Sequence, residues 1–489
     1  MNITMILEMV ASDGDRPVVT ANGRSLTASD LRARARAAAH RFRGRPAVLY
    51  LSPSHLAYPV ALFGAALASI PFIPLNYRLG EEQLARLLAR HPEALVLRPA
   101  DLDALLSAEE DAEERFDAAE LAQDQDAVAV VLYTSGTTAE PKAALLRHRH
   151  LLAYVLNTQE FASAEEGDAA LVAVPPYHVA GLMNLLTNLY SGRRLVYLSA
   201  FDAGEWLETA RREQVTHALV VPTMLARIVA EVPADDAHTP MLRSLAYGGA
   251  RTPRPVVERA LEIFPGTGFV NAYGLTETAS SVAVLGPDDH REALASADPA
   301  VRDRLGSVGR ALPGIEIEIR DDDGKPARAG ETGLVFVRGE QISGEYGGRS
   351  ALDAGGTSQP PGAGGDWFST RDRGRLDPDG YLFIEGRADD TIIRGGENIA
   401  PAEIEDVLVA HPGIVEAAVI GVPDPEWGQR IVAVVVGEGD PAEVRQWVKD
   451  RLRSSKTPDA IVFRAELPKT ETGKLLRRTL LAELETTHA

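Results

Sequence analysis

Short apolar runs alternate with longer helix-prone segments between Leu31 and Tyr273. The runs are rich in aliphatic and β-branched residues, as buried strands are, and most of the segments between them favour helices. Strands that alternate with helices predict an α/β fold with a largely parallel sheet. The predicted strands are residues 47–51, 95–97, 128–133, 170–174, 194–198, 217–221, 245–247 and 268–272. The predicted helices are residues 31–43, 56–69 and 81–90.

The pattern changes from Gly306 onward. Residues 315–319, 333–337 and 381–384 have the character of antiparallel strands, and residues 351–365 form a Gly-, Pro- and Ala-rich loop. A separate small unit follows, with a tail after its last helix. Its predicted elements are a helix at 401–410, strands at 415–422 and 431–436, and a helix at 441–453.

Composition narrows the class of protein. The chain has 489 residues, too many for one core, and its 45% hydrophobic and 25% charged content is ordinary for a globular enzyme. A net charge of −20 gives nucleic-acid binding no electrostatic support. Cysteine is absent, which excludes disulfides, a thiolate nucleophile and a cysteine metal site. The first residues lack a basic signal-peptide region, and the longest apolar stretch, residues 59–74, is too short to span a membrane, so we expect a cytoplasmic enzyme.

Lysine is rare, with 6 residues against 44 arginines, so the position of each one is informative. Lys142 ends a loop that follows the apolar run 128–133. Small and hydroxylated residues make this loop rich in N–H and O–H donors, as a phosphate-binding loop requires. It begins with Thr134, Ser135, Gly136, Thr137 and Thr138. The spacing is not that of a Walker A loop, and an ordinary Ser/Thr-rich turn explains these residues equally well when they are taken alone.

Two later strands also end in glycine- or hydroxyl-rich segments. These are Gly248-Gly249-Ala250 after Tyr247 and Gly274-Leu275-Thr276-Glu277 after Tyr273. Several such strand ends predict a ligand crevice at the carboxyl edge of the sheet. Glycine lets a planar ring approach the backbone, although tight turns and helix caps use the same residues.

Six motifs, in this order, resemble those of the adenylate-forming superfamily of acyl-CoA ligases, non-ribosomal adenylation domains and luciferases. They are residues 134–142, 176–181, 247–250, 273–278, 368–387 and 389–474. The resemblance covers essentially the whole chain. It implies a large N-terminal AMP-binding domain, residues 1–388, of two α/β-sheet subdomains plus a β-barrel-like subdomain. A small, mobile α+β C-terminal domain, residues 389–489, follows a hinge near Asp389.

The resemblance also implies roles for residues of the large domain. The loop from Thr134 to Lys142 is expected to hold the β- and γ-phosphates of ATP, and His178 to lie at the acyl pocket as a gate. Gly248, Gly249 and Ala250 would form an adenine or acyl wall beside Tyr273 and Gly274. Thr276 would contact the α-phosphate. Glu277 would coordinate Mg²⁺, a hard cation that prefers oxygen ligands.

Further roles follow in the same way near the domain junction and beyond it. Asp372 is assigned to the ribose hydroxyls, since a carboxylate accepts two hydrogen bonds, and Arg387 to ribose and phosphate. Gly395 and Gly396 match the residues that border the pantetheine tunnel in acyl-CoA ligases. Lys474 matches the lysine that stabilises the adenylation transition state.

The implied chemistry has two steps. A carboxylate attacks the α-phosphorus of ATP to form an acyl-AMP, and the thiol of coenzyme A then displaces AMP to form a thioester. The partners are therefore a carboxylic acid or its acyl adenylate, together with CoA. Rotation of the small domain would exchange Lys474 for the Gly396 region between the steps. A homodimer is common among the proteins that the chain resembles.

Three residues depart from the superfamily pattern. Ala139 and Ala143 replace glycines of the phosphate loop, and Arg371 replaces the glycine of a Thr-Gly-Asp motif. Ala139 would strain a backbone with positive φ by about 1 kcal/mol and would crowd the phosphates. Some o-succinylbenzoate–CoA ligases share the features at Ala143 and Arg371. We expect thioester formation to be intact and adenylation to be weakened, or supplied by an adenylating partner enzyme, as the resemblance to acyl-CoA ligases of platensimycin-type natural product biosynthesis also suggests.

Three alternatives remain open. The chain could be a two-step o-succinylbenzoate-type CoA ligase, or an adenylation enzyme that loads a free-standing carrier protein. It could also be a nucleotide-sensing protein that lost its chemistry, although the presence of Glu277, Asp372, Arg387 and Lys474 argues against this. The pocket walls, expected near His178, Thr223 and residues 248–251, are mostly apolar or small. Such walls leave room for a bulky aryl or terpenoid acid, but they do not identify the acid.

Overall fold

The computed structural model describes residues 1–107, 124–134, 141–232, 237–347, 367–470 and 473–487. Ser135, Gly136, Thr137, Thr138 and Ala139 of the predicted phosphate loop lie outside the described residues. The same is true of the predicted loop at 351–365.

Helices and strands alternate through much of the described chain. The helices are α1 (Thr4–Ala11), α2 (Ala28–Phe42), α3 (Ala57–Leu67), α4 (Glu81–Ala89), α5 (Pro99–Leu106), α6 (His148–Thr158), α7 (Val179–Ser191), α8 (Ala203–Arg212), α9 (Pro222–Glu231), α10 (Arg254–Ile263), α11 (Pro287–Ala295), α12 (Pro299–Asp303), α13 (Pro401–Val409), α14 (Pro441–Lys449) and α15 (Arg477–Thr487). The strands are β1 (Pro17–Ala21), β2 (Arg24–Thr27), β3 (Val48–Tyr50), β4 (Phe72–Pro74), β5 (Leu95–Leu97), β6 (Val128–Thr134), β7 (Lys142–Arg147), β8 (Ala169–Val172), β9 (Arg194–Tyr197), β10 (His217–Val220), β11 (Ser244–Gly248), β12 (Gly268–Leu275), β13 (Ser280–Leu285), β14 (Arg310–Ala311), β15 (Glu316–Arg320), β16 (Gly333–Arg338), β17 (Phe368–Leu376), β18 (Leu382–Arg387), β19 (Ile392–Arg394), β20 (Glu397–Ile399), β21 (Ile414–Asp424), β22 (Gly428–Gly437) and β23 (Ala460–Arg464).

The first sheet has five strands in the order β5-β3-β4-β6-β7. β3, β4, β5 and β6 pair in parallel, as their apolar sequences predict, and β7 returns antiparallel to β6. The two residues that flank the phosphate loop, Thr134 and Lys142, are therefore paired across a hairpin. Helices α2 and α3 pack closely beside this sheet, because the facing positions are alanines and a Cβ on Gly64 would lie 2.8 Å from that of Ala38.

The second sheet has nine strands in the order β14-β13-β12-β11-β10-β8-β9-β1-β2. The strands β9, β8, β10, β11 and β12 are consecutive and parallel, so their carboxyl ends share one edge. Residues of β11 alternate between partly exposed and buried, and the buried ones, Leu245 and Tyr247, pack into a core with Trp206 and Phe269. The opposite face of β11 carries only small residues, which leaves room for a cavity.

The third sheet has four antiparallel strands in the order β15-β16-β17-β18. This sheet corresponds to the subdomain that was expected to be β-barrel-like. Alternate side chains such as Ile319, Val335 and Leu382 are buried against the second sheet. A bulge in β17 lies between Ser369 and Arg373. The sheet therefore presents the Thr370-Arg371-Asp372 segment at an irregular point of the backbone.

The small unit contains the two-stranded sheet β19-β20 and the three-stranded sheet β21-β22-β23. Helices α13, α14 and α15 cover the larger sheet, and the last of these buries Leu480 and Leu484. The segment expected to be a tail therefore contains a strand and a helix, and α14 ends at Lys449, before the predicted Arg453. With these corrections, the predicted α/β architecture of one large and one small part is confirmed.

Candidate active site

A cavity of about 780 Å³ opens where the carboxyl ends of β10, β11 and β12 meet the small unit. The predicted site residues that line it are Thr134, Lys142, His178, Gly248, Gly249, Gly274, Thr276, Glu277 and Arg387, together with Lys474 of the small unit. These residues come from all three sheets of the large part and from the segment before α15. The fold therefore brings most of the described motif residues to one place.

Glycine at Gly248 and Gly274 is required by close backbone approaches. A Cβ on Gly248 would lie 2.1 Å from the carbonyl oxygen of Ala272, and one on Gly274 would lie 1.9 Å from that of Ser280. Gly249 has a φ of 85°, which side chains rarely adopt. Both motifs thus use glycine for tight strand packing at the cavity mouth.

Asp372 is the centre of a buried polar cluster. The Tyr273 hydroxyl donates to Asp372 Oδ2 at 2.5 Å, and Arg387 Nε lies 3.1 Å from Oδ1. Arg387 Nη1 also donates to the carbonyl oxygen of Thr370 at 3.0 Å, which fixes the guanidinium plane. Burial raises the pKa of Asp372, and Arg387 and the Tyr273 hydroxyl oppose that rise. The cluster holds the Arg387 guanidinium at the cavity and pairs it with the buried Asp372 carboxylate.

Glu277 and Lys142 are linked through Tyr346. The Tyr346 hydroxyl donates to Glu277 Oε1 at 2.5 Å, and Lys142 Nζ lies 5.4 Å from the centre of the Tyr346 ring. Tyr346 is itself bridged to Ala144 of β7. Burial and the charge of Glu277 raise the pKa of Tyr346, so its hydroxyl remains a donor at neutral pH.

Lys474 reaches the cavity from the loop before α15. Burial, and then the positive charge of Arg387, lower the pKa of Lys474, whereas Asp390, Asp372 and Glu277 act in the opposite direction. The preceding residue, Gly473, has a φ of 79°, and a Cβ there would lie 2.4 Å from Thr223 Cγ2. Thr223 thus supports the lysine loop and is not among the residues that line the cavity, contrary to expectation.

His178 lies at the start of α7 and lines the cavity. Its ring centre is 4.6 Å from that of Tyr177, which in turn contacts Tyr77 edge to face at 5.7 Å. A Cβ on Gly181 would lie 2.7 Å from the carbonyl oxygen of Pro175, so the turn into α7 is tight. His178 is therefore held by ring packing at the boundary between the strand ends and the deeper cavity.

Five predicted ligand-binding residues are not among those lining the cavity. Gly395 and Gly396 form the exposed turn of the β19-β20 hairpin, with φ values of 57° and 80°, and Gly395 packs against Trp427. Ala250, Tyr273 and Asp372 also lie outside the lining, although Asp372 pairs with Arg387, which lines the cavity. The arrangement described here therefore places Lys474, and not the Gly395-Gly396 turn, at the cavity.

Of the three residues that depart from the superfamily pattern, the structure describes Ala143 and Arg371, and their surroundings differ. Ala143 is 1% exposed, lies within β7, and packs in a core with Leu49, Ile73 and Val131. Arg371 has a φ of 60° in the β17 bulge, a conformation that favours glycine, and its exposed side chain borders the cavity. Strain therefore falls on Arg371, and Ala143 has an ordinary place in a strand.

Sequence reasoning missed Tyr346 and the polar inner end of the cavity. The inner end includes Asn184, Asn188, Arg193 and His217. One signal was present, because two asparagines four residues apart in an otherwise apolar helix must share a face. Tyr346 follows a polar segment and gave no comparable signal.

No group of three or more His, Asp or Glu side chains suited to a metal occurs within the described ranges. A search of those same ranges also gives no helix with the length and apolar character needed to cross a membrane.

Comparison with known proteins gives matches along most of the chain. The family described as "AMP-binding enzyme" matches residues 7–346, and "AMP-binding enzyme C-terminal domain" matches residues 403–474. A feruloyl-CoA synthase of Amycolatopsis sp is 35% identical over 477 residues, which are 93% of each chain. Among solved structures, o-succinylbenzoate CoA synthetase from Bacillus subtilis, in complex with its acyl-adenylate intermediate, has a TM-score of 0.81 at 26% identity and 97% coverage of both chains. ATP-bound MatB from Rhodopseudomonas palustris has a TM-score of 0.85 at 25% identity and covers 100% of both.

Proposed function

The chain belongs to the AMP-binding enzyme family, and from that premise we propose that it is an acid–thiol ligase that forms acyl-CoA thioesters through an acyl-AMP. The observation that carries the proposal is the convergence of Arg387, Glu277 and Lys474 on one cavity, with the buried Asp372 paired to Arg387. A relative named as a feruloyl-CoA synthase and a solved relative with a bound acyl adenylate support the same reaction.

The Asp372 cluster fits a ribose. Tyr273 and Arg387 each occupy one oxygen of the carboxylate, and a carboxylate has about four acceptor positions. Two positions therefore remain for a ribose diol. We assign Asp372 to the ribose hydroxyls and Arg387 to the ribose and the adjoining phosphate.

Lys474 fits the charge that develops in adenylation. When a carboxylate attacks the α-phosphorus, a new acyl–phosphate bond forms and pyrophosphate leaves with the electrons of the broken bond. The Lys474 ammonium and the Thr276 hydroxyl would stabilise the phosphorus oxygens during that displacement. The negative charge of a bound polyphosphate would oppose the lowering of the Lys474 pKa and favour the ammonium form.

Glu277 is suited to holding Mg²⁺ together with the phosphate oxygens of a nucleotide. Tyr346 occupies Oε1, which leaves Oε2 for a cation, and oxygen is the ligand that Mg²⁺ prefers. When bound, Mg²⁺ would neutralise phosphate charge. Lys142, close to the same tyrosine ring, would add a second positive charge at the phosphate end.

Thioester formation requires the second arrangement of the small domain. We propose a boundary at residues 388/389, with the hinge at the exposed Asp389 within the turn Ala388–Asp390. Rotation there would remove Lys474 and bring the Gly395-Gly396 turn to the cavity, where its lack of side chains admits the pantetheine arm. The CoA thiolate then attacks the acyl carbonyl, and AMP leaves.

We further propose that adenylation is the weaker half-reaction. Arg371 supports this, because its strained backbone lies next to Asp372 and its guanidinium borders the nucleotide end of the cavity. Ala139 remains a sequence-based reason for the same expectation. An adenylating partner enzyme would then supply the acyl-AMP in the cytoplasm.

The test separates the half-reactions. Purified protein is incubated with CoA and either a panel of acids plus ATP–Mg²⁺ or the matching synthetic acyl adenylates, and acyl-CoA is followed by mass. We expect product from the adenylates at a rate at least tenfold above that from the acids. Equal rates would contradict weakened adenylation and would leave a two-step ligase of the o-succinylbenzoate type. Absence of thioester from every adenylate would contradict the ligase assignment.

Two variants at Arg371 separate its charge from its backbone. Arg371→Asn removes the cation and keeps a residue that tolerates φ near 60°, whereas Arg371→Gly also relieves the backbone. Arg373→Gly, two residues along the strand and paired with Asp322, is the matched control. A gain in adenylation for both Arg371 variants assigns the effect to charge, and a gain only for Arg371→Gly assigns it to backbone strain.

A further inference from the structure

The cavity continues inward from the strand ends to the opposite edge of the sheet. Ser244, Ala246 and Gly248 alternate along the cavity face of β11, and His217 is paired with Ser244 on β10. Four residues of parallel strand span about 13 Å. An acyl group that begins at the Gly248 end can therefore extend about that distance before it reaches His217.

The opposite wall changes from apolar to polar over the same distance. Helix α7 presents one face to the cavity. The first residues on this face are Val179, Ala180 and Met183, and the next are Asn184, Thr187 and Asn188. These positions recur at helical spacing, so the polar residues lie on the second half of the helix. The cavity is thus apolar in its middle and polar at its inner end.

Arg193 lies at that inner end, two residues after α7. Its Nη1 makes only long contacts of 3.4 Å, to Gln159 Oε1 and to Asn188 Oδ1, and its solvent-inaccessible Nε has no hydrogen-bond partner. Among the described residues no carboxylate forms an ion pair with this guanidinium. The acid that influences its pKa, Asp168, is already paired with Arg243.

The neighbouring polar groups are already occupied. Asn188 Nδ2 donates to Asn184 at 2.8 and 3.0 Å, and the Thr187 hydroxyl donates to the Met183 carbonyl at 2.7 Å. Gln159 Oε1 accepts from Ser191 at 2.8 Å. Arg193 is therefore a charged donor at the inner end with capacity left, and a buried donor without a partner is unfavourable.

We propose that the acid substrate carries a second oxygen acceptor, a carbonyl or a carboxylate, at its far end, and that Arg193 binds this oxygen at the inner end of the cavity. The body between the two polar ends would be bulky and apolar, to fill the space between the small residues of β11 and the first half of α7. This inference rests on the proposed function for the position of the reacting carboxyl group.

The test measures binding with non-reactive acyl sulfamoyl adenosines, so that it does not depend on turnover. Three analogues share one hydrocarbon body about 10–13 Å long and end in a ketone, a carboxylate or a methyl group. Affinity is measured by calorimetry. We expect the wild-type protein to bind at least one of the two oxygen-terminated analogues roughly 10- to 100-fold more tightly than the methyl analogue, because hydrogen bonds to charged groups are strong.

Arg193→Met should abolish that preference and leave binding of the methyl analogue equal or improved. Arg193→Lys should retain part of the preference, and Ser244→Ala, at the same end of the cavity, is the control that should retain it fully. A ketone preference identifies a neutral substrate end, and a carboxylate preference identifies a diacid. Equal binding of all three analogues to the wild type, or the same preference in Arg193→Met, would overturn the proposal. Binding of every analogue without thioester formation from any acyl adenylate would instead contradict the proposed function.

Discussion

Arg371 is a residue of the candidate site whose side chain and backbone conformation fit poorly together. Its φ of 60° is costly for a residue with a Cβ and has no such cost for glycine. We therefore expect Arg371→Gly to raise the free energy of unfolding by about 0.5–1 kcal/mol in urea denaturation. Arg373→Gly, in the same strand and paired with Asp322, should lower it. A loss of stability in Arg371→Gly would show that the arginine contacts outweigh the strain.

The lowered pKa of Lys474 predicts that the rate of adenylation falls at alkaline pH. Burial and Arg387 favour its neutral form, so its pKa lies below the ordinary lysine value of 10.5. If the ammonium is required, kcat/KM for ATP formation from acyl-AMP and pyrophosphate should fall as pH rises through that lowered pKa. Lys474→Arg should remove this limb, since arginine stays protonated. An alkaline limb unchanged in Lys474→Arg would exclude Lys474 as its source.

Sequence could locate the site residues that occur in short motifs but not those assembled by the fold. Asp372, Arg387 and Lys474 were found because each follows a recognisable local string. Arg193 and His217 come from a helix end and from the first position of a strand, and they share a cavity only through the sheet register. No local pattern records that register.

Two buried histidines at the start of helix α6 predict how the stability of the large part changes as the pH falls. His148 and His150 are 2% and 1% exposed, and burial lowers the pKa of each to about 4. Between pH 6.5 and about 4 the unfolded chain binds protons that the folded chain does not. Each histidine therefore lowers stability by about 1.4 kcal/mol per pH unit as the pH falls through this range.

Two asparagine variants test the contribution of these histidines. His148 Nδ1 accepts a hydrogen bond from the backbone N–H of Ile3 at 3.4 Å, and His150 Nδ1 accepts one from that of Arg147 at 3.2 Å. The side-chain oxygen of an asparagine can accept the same hydrogen bond. The double variant His148→Asn with His150→Asn should show a shallower loss of stability between pH 7 and pH 4.5 in urea denaturation. The slope is the readout, so a lower overall stability does not obscure it. Parallel slopes for variant and wild type would contradict the assignment.

At the scale of elements, sequence periodicity predicts the parallel strands well. It predicts poorly the strands that turn back antiparallel to their predecessor. The strands β3 and β8 are continuous apolar runs in which every residue is buried, because both faces of a parallel sheet are covered. β7 was missed because it begins at Lys142, inside the motif expected to be a loop. Sequence periodicity cannot show that a strand turns back beside its predecessor.

At the scale of the whole molecule, the lysine loop is held by contacts with both parts of the chain. Arg477 follows Lys474 closely and pairs with Glu405 at 2.7 Å and with Asp390, next to the proposed hinge, at 3.5 Å. Across the interface, Arg251 of the large part pairs with Asp406 of the small one, but both side chains are about half exposed, so this pair contributes little. The contact of Gly473 with Thr223 is therefore the sharper place at which to test whether the small domain moves.

Gly473→Ala should separate the two half-reactions. The new methyl group would meet Thr223 Cγ2 at 2.4 Å and would also strain a backbone with φ of 79°, so the loop that carries Lys474 should withdraw from the cavity. We expect adenylation to fall at least tenfold, which corresponds to about 1.4 kcal/mol, while CoA thioester formation from synthetic acyl adenylates stays within about twofold of the wild type. Gly380→Ala is the matched control, because Gly380 has a φ of 83° but no atom within 4 Å of the added Cβ, so it brings the same strain without the clash. Equal losses of both half-reactions in Gly473→Ala would mean that the contact between Gly473 and Thr223 persists through the whole reaction, and the proposed rotation of the small domain would have to be abandoned.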